Sequence, residues 1–294
     1  ARVLERMEAV LEQGAPSGGR YDRLVVVGDV NSTMAAALAA VKLGIPVAHV
    51  EAGLRSFDRT MPEEINRIVT DSIADILWTP SPDGDENLLR EGVAPEKIER
   101  IGNIMIDSLE MMRPRIMAEN AAGKYGLKNG GYGVVTLHRP SNVDNPETLG
   151  KLCGALKRIA ADLELVFPVH PRTKKNLEAF GLYADLAAAP GIHLDGPVSY
   201  IPFMNLVFNC RLAITDSGGI QEETTYLGIP CLTLRENTEL PVTVTHGTNR
   251  LCAPGELLAR VAEVLNDGTR PAPVIPFWDG QTAGRVVAAI RSLV

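Results

Sequence analysis

The 294 residues carry a net charge of −7, with 45% hydrophobic and 22% charged side chains, a balance that suits a globular protein with room for two domains of roughly 100–200 residues each. It disfavours a general nucleic-acid or anionic-membrane surface, though not a local basic pocket. No apolar run approaches the roughly 18 residues of a membrane span, and no signal peptide opens the chain. The four cysteines, Cys153, Cys210, Cys231 and Cys252, stand far apart in apolar runs without a CxxC pair. Buried thiols in a reducing, cytoplasmic compartment are therefore expected.

Short apolar runs alternate with longer periodic segments, which predicts an α/β fold with parallel sheets. A helix over 2–13 is followed by a strand at 24–27 that ends in Gly28-Asp29. A helix over 32–43 is closed by Gly44, and a strand at 47–50 ends in Glu51-Ala52-Gly53. Pro62 opens a helix to about 74, with a strand at 76–79, a helix over 83–91 and a short strand near 98–101. Residues 120–133 hold Gly123, Gly126, Gly130, Gly131 and Gly133 with little apolar periodicity, which reads as a linker. The alternation resumes with strands at 133–137, 165–169, 192–194, 212–215 and 231–234. Helices over 146–161, 173–180, 201–208, 220–227 and 255–265 separate and follow them, and a last helix spans 280–293. The expected organisation is a first domain over 1–118, a hinge over 119–133, a second domain over 134–275 and a C-terminal helix, 276–294, packing back on the first domain. Two such sheets place a ligand cleft at the carboxyl ends of their strands.

Those strand ends are where the ionisable residues collect. "VVVGD" and "VAHVE" bring Asp29 and Glu51 to the ends of apolar strands, where a charge is costly unless paired or working. Glu63 and Glu64 follow in "MPEEINR", where first-turn acids also simply favour the helix dipole. Three carboxylates on one sheet edge would raise one another's pKa values, as acid/base work near neutral pH requires. His49 lies inside its strand beside Glu51 and reads equally as a packed core histidine. In the second half His138-Arg139 and His170-Pro171-Arg172 each end a core strand, which suggests a cationic wall for an anionic ligand.

"TDSGGIQEE" sets Ser217-Gly218-Gly219 where a buried strand meets a helix. Free backbone N–H groups, the positive helix end and a hydroxyl suit a phosphate, and glycine permits close approach. The same residues also fit a plain N-cap. Glu222 or Glu223, one turn in, could accept hydrogen bonds from a ribose diol or merely satisfy the helix dipole. Neither a Walker A loop nor a GxGxxG fingerprint is present, nor a GxSxG elbow or zinc-ligand spacing.

"GDVNST", "HVEAGLRS", "MPEEINR", "TLHRPSNVD", "FPVHPR", "YIPF", "TDSGGIQEE" and "RENTE" occur in one order across the chain. Together they resemble the non-hydrolysing UDP-N-acetylglucosamine 2-epimerases, two Rossmann-like domains in the GT-B arrangement. The resemblance implies a cytoplasmic homodimer of cell-envelope polysaccharide biosynthesis, without metal or nicotinamide cofactor. Such enzymes interconvert UDP-GlcNAc and UDP-ManNAc by eliminating UDP to a 2-acetamidoglucal and adding it back. Carried over by motif, Asp29, Glu51 and Glu63 match the catalytic acids, and His138 a histidine lining the pocket. Ser217, Gly218 and Gly219 match the diphosphate turn, Glu223 the ribose-binding glutamate and Phe203 a residue near the uracil. Arg139 and His170, from the cationic wall, are expected to bind the UDP part of the substrate.

Two departures stand out. The family begins with a strand and a "GTRPE"-type loop that Ala1 falls after, so the first sheet is expected to lack a strand and the site two cations. Leu240 also stands where the family often has arginine. A GT-B glycosyltransferase, or an inactive UDP-sugar-binding remnant, are the competing readings. A glycosyltransferase would not need the Asp29, Glu51 and Glu63 set.

Overall fold

The computed structural model describes residues 2–267 and 273–293, so positions 1, 268–272 and 294 of the expected domains lie outside the described residues. In chain order the elements begin with α1 (Arg2–Gln13), β1 (Leu24–Val27), α2 (Asn31–Lys42), β2 (Val47–Val50), α3 (Pro62–Ile73) and β3 (Ile76–Thr79). Next come α4 (Pro82–Arg90), β4 (Ile98–Arg100), α5 (Ile104–Ala118), β5 (Tyr132–Thr136), α6 (Pro140–Val143), α7 (Pro146–Ile159) and β6 (Glu164–Pro168). They continue with α8 (Pro171–Ala179), α9 (Tyr183–Ala187), β7 (Ile192–Asp195), α10 (Tyr200–Phe208), β8 (Leu212–Thr215), α11 (Gly218–Leu227) and β9 (Cys231–Thr233). The chain closes with α12 (Pro241–Thr245), β10 (Asn249–Leu251), α13 (Leu257–Asn266) and α14 (Thr282–Ser292). All four cysteines are free and buried.

Two compact units result. One comprises Ala1–Asp107, Glu239–Val242 and Pro276–Val294, the other Ser108–Thr238 and Thr243–Ile275. In the first unit the order β1-β2-β3-β4 is parallel throughout, and successive side chains alternate between its faces. Val47 and Leu77 enter a core with Ala37, Ala40 and Leu88, while Ala48, Val50 and Trp78 meet Ala289, Val286 and Ile290 of α14. A strand buried on both faces, as β2 is, reads as a continuous apolar run. His49 is the one interruption, and it lies on the Val47 side.

The second unit carries the order β10-β9-β8-β5-β6-β7, also parallel. Val135, Leu165 and Phe167 pack on one face, and Tyr132, Val134 and Val166 on the other. Strand order reverses between β5 and β8, and the carboxyl ends of strands at such a switch are where open α/β sheets bind ligands. His138 follows β5 there, and Asp216-Ser217 follows β8.

The largest element that periodicity does not predict is α5. Ile104 joins the core of the first unit, whereas Leu109, Met112 and Ile116 join that of the second. With apolar residues serving two cores and Pro114 inside the helix, no single stripe forms. The short α6, α9, α12 and β10 are likewise additions to the expected set. Residues 120–133 contain a 3₁₀ turn over Ala122–Tyr125. Buried Asn205 clips the start of that segment: its side chain accepts from Ala121 N at 2.9 Å and donates to Ile116 O and Glu119 O at 2.9 and 3.1 Å. Asn205→Ala should therefore destabilise the second unit by about 1–3 kcal/mol for each backbone group left buried and unpaired, checked by urea unfolding followed by circular dichroism.

Candidate active site

In the first unit the polar residues gather where β1 and β2 end, and α3 organises them. Pro62 starts that helix, and Glu64, Arg67 and Asp71 follow at spacings that share one face. All three are buried, so this stripe is polar where an ordinary amphipathic helix would be apolar. Glu64 accepts from Ser56 N and Phe57 N, both at 2.9 Å, and from Arg67 Nη2 at 2.7 Å. Burial pushes its carboxyl up, but those donors outweigh burial and hold it below the usual range. Arg67 also pairs with Asp29 through Nη1, and Asn66 Nδ2 donates to Asp29 O at 2.8 Å. Asp71 Oδ2 accepts from Gly53 N at 3.1 Å and Arg55 Nη1 at 2.7 Å, while its Oδ1 lies 2.6 Å from His49 Nδ1. At Gly53, with φ of 80°, a Cβ would meet Gly84 O at 2.4 Å, so only glycine fits.

Asp29 and Glu51 are brought together above this frame. Burial raises the Asp29 carboxyl against the pull of Arg67, with Glu239 and Glu63 adding to the rise. Glu51 is raised to about 7, first by burial and then by the charge of Asp29. Desolvation thus does more than the mutual repulsion expected from the acid count. Glu51 also adopts a left-handed backbone with φ of 73°, which costs a non-glycine residue on the order of 1–3 kcal/mol. Two backbone bonds hold it there, from Glu51 N and Ala52 N to Trp78 O, each 3.0 Å. Glu63 is exposed at the start of α3, and its charge acts on Asp29.

In the second unit the organising residue is Asp216, fully buried at the end of β8. It accepts from His138 N, Arg139 N at 2.9 Å and Asn142 Nδ2 at 3.1 Å, and its Oδ1 lies 2.8 Å from His138 Nδ1. Burial would raise this carboxyl, but His138 first and then the other donors outweigh it, so it sits below its ordinary 3.8. The turn after β5 is thereby fastened to the turn after β8. The His138 and His170 rings lie 5.6 Å apart, and Arg139 Nε donates to Asp216 O at 2.9 Å. Arg172 is less of a cationic wall than its position suggests, because it pairs with Asp144.

Ser217 caps α11 without a side-chain bond to the helix, and Gly218 and Gly219 form its first turn. Glu223, one turn on, is buried and raised to about 7 by desolvation, with Tyr200 Oη donating to its Oε1 at 2.8 Å. Phe203 packs beside Ile220, so α10 brings both Tyr200 and Phe203 to α11. Among the described residues no group of three or more His, Cys, Asp or Glu is arranged to hold a metal ion.

A family model described as UDP-N-acetylglucosamine 2-epimerase matches residues 1–291. The chain belongs to that family. A UDP-N-acetylglucosamine 2-epimerase of Methanococcus maripaludis is 41% identical, covering 98% of this chain and 79% of its own length. A UDP-2,3-diacetamido-2,3-dideoxy-D-glucuronate 2-epimerase of Pseudomonas aeruginosa is 40% identical over 99% of this chain and 79% of its own. The crystal structure of the Methanocaldococcus jannaschii UDP-GlcNAc 2-epimerase in complex with UDP-GlcNAc and UDP superposes with a TM-score of 0.86. It is 40% identical and is covered over 80% of its length by 99% of this chain. The two parallel sheets are thus those of a 2-epimerase, and no described helix is long and apolar enough to cross a membrane.

Motif reading did not single out Arg67, Asp71, Asn142 or Tyr200, read Glu64 only as a first-turn acid and did not read Asp216 as an anchor. A polar stripe at helical spacing in "EEINRIVTD" was the available signal for Glu64, Arg67 and Asp71. The Asp216 contacts make a pH test possible. Its folded pKa lies below the unfolded value, so the stabilisation is present above pH 3.8 and is lost as pH falls toward the folded value. Wild type should therefore lose melting temperature more steeply on acidification below that point than Asp216→Asn, measured by calorimetry across an acid series.

Proposed function

We propose that this chain interconverts UDP-N-acetylglucosamine and UDP-N-acetylmannosamine by removing UDP across C1–C2 to a 2-acetamidoglucal and returning it. The observation that carries the reading is the Asp29–Glu51 pair, with Glu51 poised at about 7 inside a family-matched motif. Inverting C2 requires a group that takes a weakly acidic proton from carbon and another that returns one to the opposite face. Carboxyls whose pKa burial has raised, as it has for Asp29 and Glu51, can do either. Asp29, Glu51 and Glu63 are assigned to this proton traffic.

Expelling UDP needs donors and positive potential at the phosphates. The start of α11 provides both through Ser217, Gly218 and Gly219, with His138, Arg139 and His170 completing the phosphate side. Glu223 accepts from the ribose hydroxyls, and Phe203 flanks the base. The protein acts as a cytoplasmic homodimer in this reading, which sedimentation equilibrium checks by returning twice the chain mass.

The Pseudomonas relative favours a second reading, the same chemistry on a UDP-diacetamido-glucuronate. Proton NMR of either sugar nucleotide with the protein in deuterated water tests both. Deuterium at C2 of UDP-GlcNAc, with UDP-ManNAc appearing, supports the first; exchange confined to the diacetamido sugar selects the second, and exchange in neither sinks the epimerase reading. Glu51→Gln should slow exchange roughly 10²–10⁴-fold. In wild type the rate should fall on acidification through about pH 7, where Glu51 takes up a proton.

A further inference from the structure

His49 has no part in the chemistry described so far, yet it sits in the middle of it. The ring is completely buried. Its Nδ1 lies 2.6 Å from Asp71 Oδ1, and its Nε2 lies 2.9 Å from the Gly28 carbonyl oxygen. A carbonyl oxygen can only accept. Asp71 accepts from Arg55 and Gly53 N on its other oxygen, so it faces the ring as an acceptor too. A neutral imidazole has one N–H. It would leave one of these two short contacts as lone pair against lone pair, whichever nitrogen carries the proton. Only the doubly protonated ring satisfies both sides.

The two ends of this clamp are also informative. Gly28 precedes Asp29, and Asp71 holds Gly53, two residues after Glu51. One ring therefore ties the Asp29 turn, through α3, to the Glu51 turn. We infer that His49 is a positioning residue kept as an imidazolium, whose two N–H groups lock the turns carrying Asp29 and Glu51 in the register that proton transfer at C2 requires. The charges acting on it are Asp71 on α3 and Glu51 at the end of its own strand, and Asp71 is itself paired with Arg55. Burial would lower the ring's pKa, but the Asp71 bond and charge outweigh it, and the net shift is upward. The positive charge in turn favours the ionised form of Glu51.

This inference rests on the epimerase reading for its purpose, but not for its observable. The imidazole nitrogens of the five histidines can be labelled with ¹⁵N in the wild-type chain, and His49 assigned by its loss in His49→Gln. Both His49 nitrogens should remain protonated between about pH 6 and 8, where an ordinary imidazole discharges. A single protonated nitrogen at neutral pH overturns the proposal. In His49→Gln, UDP affinity should hold within about twofold while C2 deuterium exchange falls about 10- to 100-fold. The acid limb of that exchange should move to higher pH, because Glu51 has lost a neighbouring cation. An unchanged rate and limb, or equal loss of UDP binding and exchange, overturns the positioning role. Should wild type exchange no deuterium into either sugar nucleotide, the functional reading fails while the nitrogen spectra still decide the state of His49.

Discussion

A buried charge must find a partner, and the arrangement at the ends of both sheets follows from that constraint. Removing a carboxylate from water without compensation is prohibitive, whereas a carboxylate that accepts several N–H donors becomes a rigid fixing point. Asp71 in the first unit and Asp216 in the second are such points. Each is almost wholly buried, and each gathers several donors from the segment that follows a strand, Gly53 and Arg55 after β2 for Asp71 and His138, Arg139 and Asn142 after β5 for Asp216. The strands themselves are apolar and interchangeable in character. What differentiates their ends is which donor reaches which acid.

The same constraint separates two populations of acids. Glu64 and Asp216 are paid in hydrogen bonds and held below their usual range. Glu51 and Glu223 have fewer donors to offset desolvation, and both rise to about 7. Groups of the first kind hold geometry, and groups of the second kind can change protonation or accept a ligand's hydroxyl near neutral pH. Glu51, to which proton transfer is assigned, and Glu223, to which the ribose is assigned, are of the second kind, and Glu64 and Asp216 are of the first. The strained backbone of Glu51 fits that division, since neighbouring bonds to Trp78 O impose a conformation that a free chain would not choose.

Most strands and long helices were legible from the sequence because their signals are local. Apolar runs ended by Gly28, Glu51 or Asp216, and helices opened by Pro62 or Pro146, fall within a residue or two of the observed limits. Helix α5 was not legible, because its apolar residues divide between two cores. The scaffold acids were obscured for the opposite reason. In "EEINRIVTD" the buried face is polar, and its hydropathy is that of a solvent-facing surface.

The sequence by itself determined the alternation of strands and helices, the parallel class of the sheets and the chemical types gathered at their ends, because each depends on neighbours along the chain. Eight ordered motifs added the family. Tertiary structure alone decided which of two adjacent glutamates is buried. Glu63 and Glu64 are about 100° apart around α3, so the docking of that helix sends one into the Arg67 pair and leaves the other exposed. It also decided that His49 meets two acceptors and that desolvation, with the charge of Asp29, raises the Glu51 carboxyl. Those are properties of distance and dielectric between residues remote in sequence, which no local pattern encodes.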